Sequence, residues 1–201
     1  MEYGDHRAAQ WIEVDGGALI HNLDLFRKTI GNETQMLAVV KANAYGHGLA
    51  EVAPVVAKVA DWCGVHTVGE ARELRDLGVK IPILVMGFVP PSELHDLDKD
   101  VHLLVSSRQS LEWLESFRQQ TGVSLPVHIK IDIGTKRQGI CEDAITEMFR
   151  VASQRGVDIV GIASHFANIE DTIEHEFARL QLQRFEDALD IVRRETGELP
   201  P

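Results

Sequence analysis

Short apolar runs alternate with longer amphipathic segments along most of this chain. The runs are rich in aliphatic residues and are bounded by glycine, proline or polar clusters, which is typical of buried strands. The longer segments repeat apolar residues at helical spacing, and Ser107 is placed to cap one of them. Strands are predicted at residues 36–40, 62–65, 83–86, 102–105, 127–131 and 159–164, with a further short strand at 11–14. Helices are predicted at 17–30, 49–60, 69–77, 92–97, 107–121, 142–154 and 172–196.

This alternation predicts one α/β domain with a parallel sheet. Each strand and the helix after it occupy roughly 20–30 residues, which is the length that parallel βαβ units need. From residue 36 onward there are six such units. Two arrangements fit: an open sheet that is complete with six strands, or a (β/α)8 barrel, which needs eight.

The first of the six strands runs directly into Lys41. It is predicted to be buried on both faces, and active sites of parallel α/β proteins are built at such strand ends. An amine beside an apolar wall is poorly hydrated as an ammonium, which favours the nucleophile that forms a Schiff base with a carbonyl. Tyr45 and His47 follow closely, and Gly46 and Gly48 permit close backbone approach. Most lysines at strand ends are solvated, so the pattern alone leaves both interpretations open.

Two further strand ends carry polar residues. The segment 130–139 contains Lys130, Arg137 and two glycines. Its backbone N–H groups and cations can hold an anion, although a solvated basic loop explains the same residues. His165 ends the sixth strand, where a hydrogen-bonded buried histidine is the alternative to a catalyst. The carboxyl ends of parallel strands meet at one edge, so we expect these residues to face the same site as Lys41.

Composition narrows the function classes. The chain has 201 residues, 44% of them hydrophobic, which supports one domain with a substantial core. Its formal net charge of −11 argues against nucleic acid or an anionic membrane as a partner. No stretch approaches the ~20 apolar residues of a membrane span, and residues 1–10 lack a signal-peptide pattern, so we expect a cytoplasmic protein. Cys63 and Cys141 fit no metal motif and are expected to be free thiols.

Two acidic groups near helix starts are interpreted as ordinary surface. A cluster before the last helix consists of Glu170, Asp171, Glu174 and His175. Acidic residues in a first turn are common partners of the helix dipole, so we expect no metal there. Glu70, with Arg72, lies at an earlier helix start and is likewise interpreted as solvated.

Three segments resemble motifs of the alanine racemase family, whose members are pyridoxal phosphate (PLP) enzymes with a (β/α)8 barrel. Residues 38–48, Ala-Val-Val-Lys-Ala-Asn-Ala-Tyr-Gly-His-Gly, resemble that family's cofactor-lysine motif. Residues 130–139 resemble its motif of Lys, Asp, Gly and Arg-x-Gly. Residues 162–167 resemble its Thr-His-Phe-Ala motif.

The resemblance implies a role for five residues. Lys41 would carry PLP as a Schiff base and act as one of two catalytic bases. Tyr45 would contact the PLP phosphate, and Arg137 would hydrogen-bond the PLP phenolic oxygen. His165 would pack on the PLP ring. Lys130 would be a carbamylated lysine that orients Arg137.

The resemblance also implies a TIM barrel that is truncated after about six β/α units. Residues 1–201 would be an incomplete N-terminal PLP-binding barrel domain, with the family's C-terminal β-domain absent. The expected activity is racemisation of L-alanine to D-alanine, a peptidoglycan precursor. The family's second base is a tyrosine of the C-terminal domain, supplied across a dimer interface, so we expect this chain alone to be impaired or inactive.

Two residues depart from the family's motifs, and other interpretations of the chain stay open. Lys136 stands where the family commonly has an Asn-like or small residue, and Gln138 stands where leucine is usual. A non-catalytic PLP-binding barrel protein and a partner-requiring fragment are the alternatives to an enzyme. The unpaired edges of an open sheet invite association, so we expect a homo-oligomer formed through the barrel edges.

Overall fold

The structure, a computed structural model, describes residues 10–167, 169 and 175–200. Strands and helices alternate along it. The strands are β1 Leu37–Val39, β2 Trp62–Val65, β3 Ile83–Val85, β4 Val101–Val105, β5 Val127–Lys130 and β6 Ile159–Ala163. The helices are α1 Gly16–Ile30, α2 Lys41–Tyr45, α3 Leu49–Val56, α4 Val68–Asp76, α5 Arg108–Thr121, α6 Ile145–Arg155 and α7 Glu176–Thr196, with 3₁₀ helices at Pro91–Asp96 and Glu142–Ala144. No helix among the described residues is long and apolar enough to cross a membrane.

The six strands form one parallel sheet in the order β1-β2-β3-β4-β5-β6. A doubly wound sheet would reverse its order part-way along the chain. This sheet does not, so it forms part of the wall of a TIM-type barrel, as predicted. It contributes six β/α units, whereas a complete (β/α)8 barrel has eight. All six carboxyl ends lie at the same edge, and the loops that follow the strands gather there.

Most of the predicted elements are confirmed to within a few residues. The Ser107 cap is present, because its Oγ accepts a hydrogen bond from the Ser110 N–H at 3.2 Å. The strand predicted at 11–14 is wrong: these residues form no strand, and Trp11 is 62% exposed. A short apolar run forms a strand only where a partner strand is available. The last helix begins at Glu176, and three members of the acidic cluster, Glu170, Asp171 and Glu174, lie outside the described residues.

The hydrophobic core lies between the outer face of the sheet and the helices. Alternate strand residues are buried there, namely Cys63, Val65, Ile83, Val85, Val101, Leu103, Val105, Val127 and Ile129. The helices contribute apolar stripes at helical spacing, such as Leu111, Leu114 and Phe117 of α5. Both cysteines are free thiols, and burial raises the pKa of the Cys63 thiol to about 11.

The first strand is not buried on both faces, which corrects the prediction. Leu37 and Ala38 are half-buried, and Val39 is 37% exposed. They border an apolar cavity of about 640 Å³ beside α1, which is also lined by Leu23 and Phe26. The apolar run suggested a central strand, but among the described residues β1 pairs with a strand on one side only.

Three ring side chains form a floor on the inner face of the sheet. Trp62 meets His102 edge-on with ring centroids 4.5 Å apart, and His102 Nδ1 lies 3.0 Å from His128 Nε2. The neighbouring strand leaves room for this pair, because a Cβ on Gly161 would lie 2.2 Å from His128 Nδ1. Burial, and then the nearby His102, lower the pKa of His128 to about 4. Burial also lowers the pKa of His102.

The low pKa of His128 in this floor leads us to expect that the protein loses stability in mild acid. Between about pH 6.5 and about pH 4 the unfolded chain protonates His128 and the folded chain does not, so the free energy of unfolding falls as the pH falls. Asp100 and Asp158 favour the charged form of His102, and this opposes the loss of stability only in part. We expect the melting temperature of His128→Gln to fall less than that of the unchanged protein between about pH 7 and about pH 5. His21→Gln, on the exposed surface of α1, should behave like the unchanged protein; equal losses in all three would contradict the interpretation.

Lys136, in the loop after β5, has a left-handed backbone with φ of 50°. Asp132 closes this loop, because its Oδ1 accepts hydrogen bonds from the N–H groups of Gly134 at 2.8 Å and Lys136 at 3.2 Å. Glycine and asparagine adopt this backbone region readily, whereas a lysine is strained by about 1 kcal/mol. The departure from the family pattern at this position therefore has an energetic cost.

We expect Lys136→Gly to raise the free energy of unfolding by roughly 0.5–1 kcal/mol, because relief of the strain outweighs the extra chain entropy of glycine. Urea unfolding measures the change. The matched control is Lys80→Gly, at an exposed loop residue without a positive φ, which should lower the free energy of unfolding or leave it unchanged. Stabilisation of the same size at both positions would rule out strain at Lys136.

Candidate active site

Lys41 stands at the carboxyl end of β1 and begins α2, which is a left-handed turn and not a right-handed helix. Residues 42–45 all have positive φ, between 51° and 56°. A left-handed helical backbone costs an L-residue roughly 1–2 kcal/mol, so such residues normally occur singly. Strain of this kind persists only where surrounding contacts hold it, and it concentrates at functional sites.

Side chains within the motif hold part of this turn. Asn43 Oδ1 accepts a hydrogen bond from the Leu49 N–H at 2.7 Å, which ties the turn to the start of α3. His47 Nδ1 lies 2.8 Å from the carbonyl oxygen of Ala44. Tyr45, the last residue of the turn, is 61% exposed and leaves its hydroxyl available to a ligand.

Glu70, interpreted from the sequence as solvated surface, binds the first residue of the same turn. Its Oε1 accepts from the Ala42 N–H at 2.6 Å, and its Oε2 accepts from the N–H groups of His66 at 2.7 Å and Thr67 at 3.0 Å. Partial burial raises the pKa of Glu70, but these three N–H groups outweigh it and hold the pKa below its usual range. The spacing Thr67-x-x-Glu70 is a capping-box signal that sequence analysis can find. The bond to Ala42, 28 residues away, leaves no local signal.

The loop after β5 brings Lys130 and Arg137 together. The chain returns to the strand end through Ile140, whose N–H donates to the Lys130 carbonyl at 2.9 Å. The return passes so close to Asp132 that a Cβ on Gly139 would lie 2.6 Å from the Asp132 backbone nitrogen, so glycine is required there. Burial, and then the Arg137 guanidinium, lower the pKa of Lys130, although Asp132 opposes them. The Lys130 amine is therefore neutral more often than that of an ordinary lysine.

The loop after β6 carries His165 and is tied to the loop after β5. Thr135 Oγ1 donates to the His165 carbonyl at 2.8 Å, and Ser164 Oγ donates to the Ile131 carbonyl at 2.8 Å. The His165 side chain is exposed, which excludes its interpretation as a buried core histidine. The two bonds fix its backbone beside the cationic loop.

One cavity of about 730 Å³ at this end of the sheet is lined by all five residues singled out by the sequence: Lys41, Tyr45, Lys130, Arg137 and His165. Three of them are cationic, and the lining includes no aspartate or glutamate among the described residues. Within the same residues, Lys41, Lys130 and Arg137 form no ion pair. The cavity is thus positively charged in a chain whose net charge is −11.

Sequence analysis did not predict the rest of the cavity wall. It includes His66, Met86, Phe88, Trp113 and Gln138. Phe88 packs edge-on against Trp113 with ring centroids 5.5 Å apart. His66 and Met86 directly follow β2 and β3, so a strand-end position was the available signal. Neither residue type indicates a ligand by itself.

The arrangement suits an anionic ligand that carries a carbonyl group. Cationic side chains and the Tyr45 hydroxyl can bind anionic oxygens, and the Lys41 amine can form an imine with a carbonyl carbon. A metal centre finds no support in the part of the chain that the structure describes, where no three His, Cys, Asp or Glu side chains converge.

Several known proteins that resemble this chain in sequence or structure are named as amino-acid racemases. Residues 14–201 match the sequence model of the family described as alanine racemase, N-terminal domain. The alanine racemase of Desulforamulus reducens is 35% identical over 179 residues, which are 87% of this chain and 48% of that protein. The chain therefore spans about half the length of the curated relatives it matches.

Two solved structures illustrate the structural similarity. The alanine racemase of Clostridium difficile 630 has a TM-score of 0.82 and 27% identity, covering 90% of this chain and 51% of that one. A histidine racemase from Leuconostoc mesenteroides subsp. sake has a TM-score of 0.76 and 27% identity, covering 92% of this chain and 49% of that one.

The family match extends over nearly all of the chain and includes every strand of the sheet. It also includes Lys41 and the four other predicted site residues, all of which line the cation-rich cavity. This chain belongs to the alanine racemase N-terminal domain family.

Proposed function

We propose that this chain is the PLP-binding part of an amino-acid racemase that interconverts L- and D-alanine. The observation that carries the proposal is the cavity in which Lys41, at a strand end, faces unpaired cations. Curated relatives that match over the same region are alanine racemases. Because one structural relative is a histidine racemase, alanine is the first substrate to test and histidine the second.

The residues of the cavity fit PLP, which is a phosphate ester with a phenolic oxygen and an aldehyde. Arg137 presents positive charge without a carboxylate partner among the described residues, which suits the phenolate oxygen, and the Tyr45 hydroxyl can donate to the phosphate. Lys41 offers an amine to the aldehyde. The cavity volume of about 730 Å³ falls within the roughly 300–1,000 Å³ of small-molecule sites.

Four residues then have defined tasks. Lys41 would hold PLP through its side-chain amine and would take a proton from the substrate Cα on one face. When bound, PLP supplies the electron sink that makes this Cα–H acidic. Arg137 would donate to the phenolic oxygen, Tyr45 would donate to the phosphate, and the His165 ring would lie against the cofactor.

Lys130 is the proposed modification site. Only a neutral amine adds carbon dioxide, and the addition forms an N–C bond and releases one proton. The lowered pKa of Lys130 favours that neutral form. The resulting carbamate is an anion beside Arg137, so it would replace a repulsion between two cations with an ion pair that orients the guanidinium.

Racemisation needs a second acid on the opposite face of the substrate. The chain contains two tyrosines, of which Tyr45 is assigned to the phosphate and Tyr3 lies outside the described residues. The family resemblance gives this role to a tyrosine, so we propose that the second acid comes from a protein segment outside the described residues. Covalent capture of PLP, rather than turnover, is the property of this chain to test first.

Lys41→Ala should abolish capture of PLP in the cavity. The protein is incubated with PLP, reduced with borohydride and digested, and the pyridoxyl mass is located by peptide mass spectrometry. We expect the label at residue 41 in the unchanged protein, because this amine lies beside the cationic cavity. In the variant only background labelling should remain.

Lys58→Ala is the matched control, since it removes an exposed lysine outside the cavity. It should leave labelling at Lys41 unchanged. Label spread evenly over surface lysines, with no preference for residue 41, would refute the proposed PLP site. Racemisation of alanine and of histidine is assayed on the same samples.

We also propose that the chain self-associates through the edges of its sheet. β1 pairs with a strand on one side only, which leaves N–H and C=O groups on the other side for a second chain. Beside that edge lies the apolar cavity next to α1, where Phe26 is 62% exposed. Apolar surface of this kind is typical of association sites.

Phe26→Glu should shift the chain towards monomer, because a charge beside the β1 edge opposes burial of the apolar surface. Size-exclusion chromatography with light scattering measures the mass over a range of concentrations. Val123→Glu is the control, because Val123 is an exposed apolar residue in the turn between α5 and β5, four strands away from β1 in the sheet order. A monomer at every concentration in the unchanged protein would refute self-association.

A further inference from the structure

We propose that Glu70 is a positioning residue that sets the direction of Lys41 by fastening the Lys41–Ala42 peptide to the end of β2. We call the hydrogen bonds that fasten this peptide the clamp. The clamp is a property of this chain alone, whereas its consequence for PLP capture rests on the proposed function. Glu70 is not part of the cavity lining, so it acts through Lys41 and not on a ligand.

The Glu70 carboxylate joins two neighbouring β/α units. Oε1 binds the Ala42 N–H, in the turn that follows β1. Oε2 binds the N–H groups of His66 and Thr67, which lead from β2 into α4. Glu70 itself belongs to the first turn of α4. The clamp is therefore anchored in the first turn of a helix that packs on the sheet.

The clamp acts where the backbone strain begins. Ala42 is the first of the four left-handed residues, and a right-handed backbone is lower in energy for alanine. The ties from Asn43 to Leu49 and from His47 to Ala44 act further along the turn. If Ala42 relaxed, the peptide plane that it shares with Lys41 would rotate, and the Lys41 side chain would leave the chain in a different direction.

A carboxylate is the suitable group for this task. Its two oxygens accept three hydrogen bonds here, and an ionised acceptor makes stronger bonds than a neutral one. A glutamine has nearly the same shape, but it has one acceptor oxygen and an NH₂ group that would face backbone N–H donors. Glu70→Gln therefore removes the clamp with little change in volume.

Thr67→Ala is the matched control. Thr67→Ala removes the hydroxyl that caps α4, and Glu70→Gln weakens the same cap. Only Thr67→Ala leaves the bond between Glu70 and Ala42 in place. The two variants thus separate a role in capping α4 from a role in holding the turn. Urea unfolding of both variants establishes that they fold and gives the loss of overall stability.

The clamp is tested by amide hydrogen exchange on the chain without PLP. The reporters are the N–H groups of Ala44 and Gly46, which bond to the Val40 and Ala42 carbonyls inside the turn. We expect Glu70→Gln to speed their exchange roughly tenfold, as loss of about one charged hydrogen bond would. Thr67→Ala should leave it unchanged. Equal exchange in the two variants would overturn the clamp.

The positioning role is tested by the rate of borohydride-trapped PLP capture at Lys41, relative to Lys58 in the same sample. Glu70→Gln should slow the relative rate roughly tenfold, whereas Thr67→Ala should not. Loosening of the turn without a change in this rate would overturn the positioning role. If the unchanged protein captured no PLP at Lys41, the proposed function would fail, and hydrogen exchange would still decide whether Glu70 is a clamp.

Discussion

The parallel pairing of each strand with the next one in sequence is the constraint on which the candidate site depends. It brings every carboxyl strand end to the same edge, so that Lys41, Lys130 and His165 meet although they come from three different β/α units. The outer face of the sheet carries the hydrophobic core and stabilises this order. The inner face is then free to hold polar groups, and it holds both the cations of the cavity and the histidine floor below them.

Holding cations together in a half-buried cavity has an energetic cost. Lys130 shows it directly, because burial and the Arg137 guanidinium both lower its pKa. The same chain has a large excess of acidic residues, and its described ion pairs lie outside the cavity. Lys41, Lys130 and Arg137, which form no ion pair among the described residues, therefore bring positive charge together at this end of the sheet. Perturbed groups in a cleft are typical of functional sites, where the ligand supplies the missing opposite charge.

Local patterns were sufficient for much of the fold, and they singled out five of the residues that line the cation-rich cavity. The apolar runs located β2 to β6, and a Ser cap located α5, because these signals depend on neighbouring residues. The exposure of Val39 was not predictable, since it depends on whether a second strand lies beside β1. The role of Glu70 was missed for a related reason. Its cap signal is local, but its bond to Ala42 joins residues that only the completed sheet brings together.

The left-handed turn was also invisible in the sequence, because alanine and tyrosine favour a negative φ. Residues 42–44, with φ of 51–54° and ψ of 46–52°, have the backbone of a right-handed helix reflected in a mirror. A polypeptide of D-residues would adopt this shape without cost, since the steric penalty depends on the chirality of Cα. The exposed Ala42 could therefore be replaced by D-alanine in a chemically synthesised chain with a gain in stability. At the lysine proposed to act on both mirror forms of an amino acid, the protein itself uses the backbone geometry of the opposite hand.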